Sequence, residues 1–301
     1  MRGWLCDPVM KRWVLFVGMY LLVTLPGWAG QKYDVRGLVL KVDPSRKSML
    51  VSCESIPGYM EAMTMPFTVR ESAMLKGLQP GTAVDFTLVV DGEASYADNV
   101  RARAFESLEL DPTQARRMRL LEKMAAPSSS VPGALTVGQP VPDFTLTDQN
   151  RRRVALSQFA GKVVAVTFIY TRCPFPNYCF RLSNNFGQLQ KRFKHNMGRD
   201  LVLLSIVIDP ANDGPEALTK YAQIWKAESD GWHFLTWTLP EIQQVAGKFD
   251  MNFYPDEAFL VHSFHTAVID RQNRLAANLE GNEFTGQQLG DLVETLLNQR
   301  N

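Results

Sequence analysis

Two hydrophobic periodicities divide this chain. Between residues 33 and 105, short runs of β-branched and aromatic residues alternate with turn signals. The runs are Val35 to Val42, Ser48 to Ser52, Phe67 to Val69, Ala83 to Val90 and Tyr96 to Phe105; the breaks include Asp43-Pro44, Pro80-Gly81 and Asp91-Gly92. Five strands packed into so short a stretch predict a small β-barrel of the OB-like kind. Residues 106 to 126 then turn charged and helical, and residues 127 to 133, Pro-Ser-Ser-Ser-Val-Pro-Gly, have linker composition. Residues 106–134 are therefore read as a helical, Pro/Ser-rich linker.

From Leu135 the period changes. Val163 to Tyr170 and Leu201 to Ile208 are continuous apolar runs, as expected of strands covered on both faces. Leu182, Phe186, Leu189 and Phe193 form one helical stripe, and Leu218, Tyr221, Ala222 and Trp225 a second. Phe264 to Ile269 and Leu275 to Leu279 predict a hairpin, and Leu289, Leu292, Val293 and Leu296 a closing helix. This order, with a cysteine pair between the first buried strand and its helix, predicts an α/β thioredoxin-like domain over residues 135–299.

The N-terminus reads as an export signal over residues 1–29. Lys11 and Arg12 precede an apolar run from Trp13 to Leu25; Pro26 and Gly27 break it, and Ala29 supplies a small residue for cleavage. The run is shorter than the roughly 20 residues of a membrane span. An uncleaved inner-membrane anchor is the competing reading, and either places the protein in the periplasm. Lys+Arg and Asp+Glu number 32 and 31, a formal charge of +1, which argues against a nucleic-acid partner. Beyond the leader, Cys53, Cys173 and Cys179 are too few for a disulfide framework.

Cys173 and Cys179 lie in the segment Tyr170-Thr-Arg-Cys-Pro-Phe-Pro-Asn-Tyr-Cys179, between the predicted strand and helix. The prolines keep the segment out of the helix, and the helix end near Cys179 favours a thiolate. Two thiolates on one loop suit cuprous copper or zinc, and they can equally close a disulfide. The second chemistry-bearing segment runs from Cys53 to Phe67 and carries Met60, Met63 and Met65. Met63 and Met65 alternate, so in a strand they share a face. Thioethers select soft monovalent ions, although methionines also fill cores.

Thr171-Arg-Cys-Pro through Cys179, Asp209-Pro210 and Val261-His-Ser-Phe-His-Thr-Ala-Val-Ile-Asp270 resemble the Sco/SenC proteins over about residues 136 to 298. The resemblance implies a thioredoxin-like fold and a copper site made by Cys173, Cys179 and His262. Five residues separate these cysteines, where the family usually has three. In a strand His265 would point away from His262. Asp209 is read either as positioning the loop or as capping its own turn. Met63-Thr-Met65 and the Ile-Pro-Gly-Tyr-Met60 approach resemble the CusF-like periplasmic copper/silver-binding domain. There Cys53 stands where that family has a histidine, and Met60 near the place of its tryptophan.

Together the resemblances imply an exported copper metallochaperone. It would take copper from a donor protein and deliver it to a cuproenzyme, such as the binuclear centre of a cytochrome c oxidase subunit. The alternatives are a thiol–disulfide reductase using Cys173 and Cys179 on the recipient's cysteines, and periplasmic copper/silver resistance.

Overall fold

The computed structural model describes residues 31–92, 94–104, 133–174, 176–256 and 259–299. The predicted leader and nearly all of the predicted linker lie outside these residues. Among the described residues no helix is long and apolar enough to cross a membrane.

The N-terminal part has the five expected strands: β1 (Gln31–Asp43), β2 (Ser48–Cys53), β3 (Met63–Thr68), β4 (Ala83–Asp91) and β5 (Ala94–Ala102). They do not close into an OB-like barrel. The hydrogen-bonded order is β3-β2-β1-β4-β5, an open antiparallel sheet in which β3 and β5 are edges. Val69, just past β3, makes an isolated bridge with Ala97 within β5, with no ladder between the two strands among the described residues. Two features oppose closure. Pro66 in the short β3 lacks an N–H, which suits an edge strand. The second face of the sheet is also in use, because it packs on the C-terminal part.

This two-sided use is visible along β1. Val35 and Val39 join Met49, Val51, Cys53, Phe67 and Phe86 in the core of the N-terminal part. Leu38 and Leu40 belong instead to the larger C-terminal core, with Leu50 of β2 packed beside them. Gly81 reaches the strand Leu275–Glu280 so closely that a Cβ there would lie 3.2 Å from the side chains of Ala277 and Leu279.

The C-terminal part is the expected thioredoxin-like α/β domain. Its seven-stranded sheet has the order β14-β13-β8-β9-β10-β6-β7, built from β6 (Thr145–Asp148), β7 (Arg153–Ala155), β8 (Val163–Ile169), β9 (Leu201–Val207), β10 (Trp232–Thr236), β13 (His265–Ile269) and β14 (Leu275–Glu280). β8, β9 and β10 are parallel and fully buried, which is why β8 and β9 read as continuous apolar runs. The helices are α1 (Arg181–Arg192), α2 (Pro215–Trp225), α3 (Leu239–Lys248) and α4 (Gly286–Leu297). α4 starts with a capping box: Thr285 Oγ1 accepts from Gln288 N at 3.1 Å, and Gln288 Oε1 accepts from Thr285 N at 3.0 Å. A separate hairpin, β11 (Phe253–Asp256) and β12 (Phe259–His262), stands outside the main sheet.

Candidate metal centre

β8 delivers the chain to Tyr170, and the cysteine segment follows before α1. A wide turn over Pro176–Phe180 precedes the helix. Two groups of residues pin the segment. On one side the fully buried Asp213 accepts from Thr171 N at 2.8 Å and from Thr171 Oγ1 at 2.5 Å. Burial pushes the Asp213 carboxyl above its ordinary range, and the Thr171 bonds partly offset this. Asp209 receives Arg172 Nη2 at 2.8 Å and the Asn212 amide at 2.9 Å, so it acts on the segment through the neighbour of Cys173. On the other side Asn282 Nδ2 donates to Asn177 O at 2.5 Å, and Arg181 Nη2 donates to Glu283 O at 2.7 Å.

Cys173 is half-buried and Cys179 buried, and neither is in a disulfide. A hydrogen bond between the two thiols, reinforced by burial, holds Cys179 well above the ordinary thiol range. The neighbouring sulfur and burial thus act against the thiolate that the helix end would favour at Cys179. Tyr170 is buried beside them. Burial raises its phenol first, and proximity and a hydrogen bond to Cys173 add to this.

His262 closes β12 and packs against Tyr170. The two rings meet edge-on with 5.9 Å between centroids, and the imidazole also lies 4.5 Å from the Phe264 ring, which stacks on Tyr178. Nδ1 is 2.8 Å from Ser263 O, so it carries the proton and Nε2 keeps its lone pair. The residue keeps some solvent-exposed surface, yet the ring is enclosed by protein, and this desolvation lowers its pKa to about 4. His265 is buried in β13, with its pKa lowered by burial.

The structure thus brings Cys173 and Cys179 together and sets His262 against the same tyrosine. Among the described residues no three His, Cys, Asp or Glu side chains stand close enough to hold a metal ion. The separate β11–β12 hairpin is the element that would have to shift to carry the imidazole to the sulfurs. Two residues of the site went unassigned in the sequence. Tyr170 lay within the quoted motif without a role. Asp213 gave no signal, because a buried carboxylate four residues after Asp209 reads as an ordinary loop acid.

In the N-terminal sheet, Cys53 pairs across the strands with Met63, and Val51 with Met65. Residues opposite one another, or two apart on a strand, share a face, so Cys53, Met63 and Met65 lie on one side of β2–β3. Met63 is 48% exposed, Met65 is half-buried and Cys53 is 1% exposed. Met60 is half-buried against the same core, held in a tight loop by Ile56 N to Met60 O at 2.8 Å. Tyr59 beside it stacks on Tyr33, 4.0 Å between centroids. Desolvation, with a smaller effect from Glu54, pushes the Cys53 thiol up to about 12.

Comparison with known proteins follows this geometry. Residues 135–298 match the family model SCO1/SenC, and residues 32–97 match the model for the copper binding periplasmic protein CusF. Among curated proteins, the chain is 33% identical over 109 residues to a SCO1 protein homolog of Bacillus subtilis, covering 36% of this chain and 55% of that protein. It is 27% identical over 117 residues to a putative copper-binding protein of Stutzerimonas stutzeri, covering 38% and 54%. The chain thus spans about half the length of these relatives. A SCO1/SenC family lipoprotein from Bacillus anthracis aligns with a TM-score of 0.47 at 22% identity, over 54% of this chain and 99% of that one. The family model spans more than half of the chain, cysteine segment and His262 included, and the chain belongs to the SCO1/SenC family, with a CusF-like domain fused ahead of it.

Proposed function

We propose that this protein is an exported copper metallochaperone that holds cuprous copper as cargo and passes it to a copper-receiving protein, such as an oxidase subunit. The supporting observation is the pair of hydrogen-bonded thiols on the α1 approach, with a neutral imidazole packed against the tyrosine they touch. Two sulfurs and one neutral nitrogen suit a soft d¹⁰ ion. Cys173 and Cys179 would hold the ion and His262 Nε2 would complete the set as the hairpin closes. The relatives named for copper and the copper-binding family model of the N-terminal part favour the same cargo.

Cys53, Met63 and Met65, with Met60 beside them, form a second soft site. Its role is capture of copper from a donor protein, and its exposed thioether, Met63, is the point of entry. Transfer proceeds by ligand exchange, the recipient's thiols replacing these donors one at a time. The periplasm is the compartment that fits the reading, with the leader either cleaved or kept as an anchor.

A second reading rests on the same thiol pair. Cys173, the more accessible, attacks a recipient's disulfide, and Cys179 displaces the mixed disulfide to leave the recipient reduced and Cys173–Cys179 oxidised. Anaerobic cuprous titration of the exported form separates the two. A metallochaperone takes up copper at two separable sites, one lost with Cys173→Ser and Cys179→Ser, the other with Met63→Leu and Met65→Leu. Retention of thiol exchange with no copper uptake at the cysteine pair leaves only the reductase.

A further inference from the structure

Asp291 of α4 lies at the junction of the two domains with 9% of its surface exposed. Its Oδ2 accepts from Ser52 Oγ at 2.6 Å and from Thr64 Oγ1 at 2.9 Å, and its Oδ1 pairs with Arg192 Nη1 of α1 at 2.7 Å. One turn earlier, Gln288 Nε2 donates to Ser52 O at 3.4 Å, and Gln287 Nε2 donates to Ala62 O at 3.4 Å. Arg192 reaches this position because residue 290 is glycine: a Cβ there would lie 2.5 Å from Arg192 Nη1.

Ser52 and Thr64 are cross-strand partners, and the next pair along the ladder is Cys53 with Met63. Successive strand residues face opposite ways. One face of this two-residue step therefore carries the soft donors, and the other is fastened to a carboxylate of the SCO1/SenC domain. Among the described residues β3 forms a ladder with β2 only, so the grip of Asp291 on its other face bears on how it sits against β2.

We propose that Asp291 is a positioning residue for the N-terminal metal site: by gripping Ser52 and Thr64 together it fixes the separation of β2 and β3 at which Cys53, Met63 and Met65 meet the ion. The site is then completed by a residue of the other domain, and α4 is its mount. This rests on the reading of those three side chains as a soft-metal site.

The test uses the full exported chain with Cys173→Ser and Cys179→Ser, so that only the N-terminal site takes up copper. Asp291→Ala strands Arg192 and can open the whole junction. The deciding variant is therefore Ser52→Ala with Thr64→Val, which leaves the Asp291–Arg192 pair in place. Cuprous affinity is read by competition with a chromophoric chelator, and the methyl resonances of Met63 and Met65 by NMR of the metal-free protein. The expected result is an affinity loss of about tenfold, the lower end of what outer-shell changes cost, together with shifted methyl resonances. A lowered thermal midpoint with affinity and methyl resonances unchanged overturns the proposal and leaves Asp291 a structural contact. If the starting protein binds no cuprous ion, the metal reading has failed. The methyl resonances then decide alone whether Asp291 sets the strands: shifted supports it, unshifted overturns it.

Discussion

The ring of His262 meets the ring of Tyr170 edge-on, and Tyr170 in turn touches the sulfur of Cys173. One buried tyrosine thus touches both the imidazole and the thiol pair with which the family resemblance groups it. Replacing Tyr170 with Phe keeps the ring and removes the hydroxyl. The expected outcome is slower alkylation of Cys173 in the metal-free protein, because the phenol no longer donates to the sulfur and stabilises its thiolate, with cuprous uptake retained. Unchanged alkylation rates would show that the hydroxyl has no hold on the sulfur.

Native-state alkylation should order the three thiols. Cys173 is half-buried, whereas Cys53 and Cys179 are buried, the Cys53 thiol pushed up by desolvation and the Cys179 thiol by its hydrogen bond to Cys173 and by burial. Since the thiolate is the reactive species, Cys173 is expected to react first, with Cys53 and Cys179 reacting at rates limited by opening of the fold. Mass spectrometry of a time course at mildly alkaline pH checks this, and early labelling of Cys53 contradicts it.

The depressed pKa of His262 has a definite sign. Its ring stays neutral in the fold down to about 4, while in the unfolded chain it takes up a proton near the ordinary histidine value of 6.5. Between those values the unfolded state binds more protons, so this residue's effect on stability worsens as pH falls from 6.5 towards 4 and is absent above that window. Denaturant titrations of the metal-free protein should show a shallower decline over that window for His262→Gln. At the cysteine pair the same variant should weaken cuprous binding by about 100-fold or more, beyond what outer-shell changes cost.

Asp213→Ala leaves Thr171 N without its acceptor in a buried setting. The expected cost is about 1–3 kcal/mol in chemical denaturation. A local effect on Cys173 reactivity should accompany it, because Thr171 fixes the start of the cysteine segment. Asp213→Asn, which can still accept one bond, should recover part of the loss.

Met63→Leu with Met65→Leu should abolish cuprous uptake by the N-terminal sheet while changing stability by less than about 1.5 kcal/mol, since Leu and Met are close in volume. Circular dichroism melting alongside the titration checks both halves. A large loss of stability would mark these methionines as core fillers.

The strands and helices that carry the site were legible because their burial is two-sided. β8 and β9 are covered on both faces, and unbroken apolar runs report that directly. The five N-terminal strands were equally readable, but their closure was not. Whether β3 and β5 pair depends on Pro66 and on a second packed face, and the second depends on residues more than 200 positions away. Leu38, Leu40 and Leu50 alternate with Val39 and Val51, so an isolated barrel would have left three leucines pointing at water. That excess of apolar residues was the available clue. β6, β7, β10, α3 and the β11–β12 hairpin went unnamed, the hairpin because its strands are only four residues each. The site was legible as sulfurs and one histidine, while the tyrosine and the buried aspartate that arrange them have no sequence signature.

Leu38 and Leu40 lie inside the core of the other domain, with Gly81 pressed against β14. Removing residues 31–104 as a unit would uncover apolar surface on β14 and α4, each buried leucine there carrying about 1.5–3 kcal/mol of solvent-exclusion energy. A phenotype from such a truncation would therefore mix lost metal capture with stickiness and faster turnover of what remains. Single side-chain replacements at Met63 and Met65 separate those effects, because they leave the packed junction between the two parts in place.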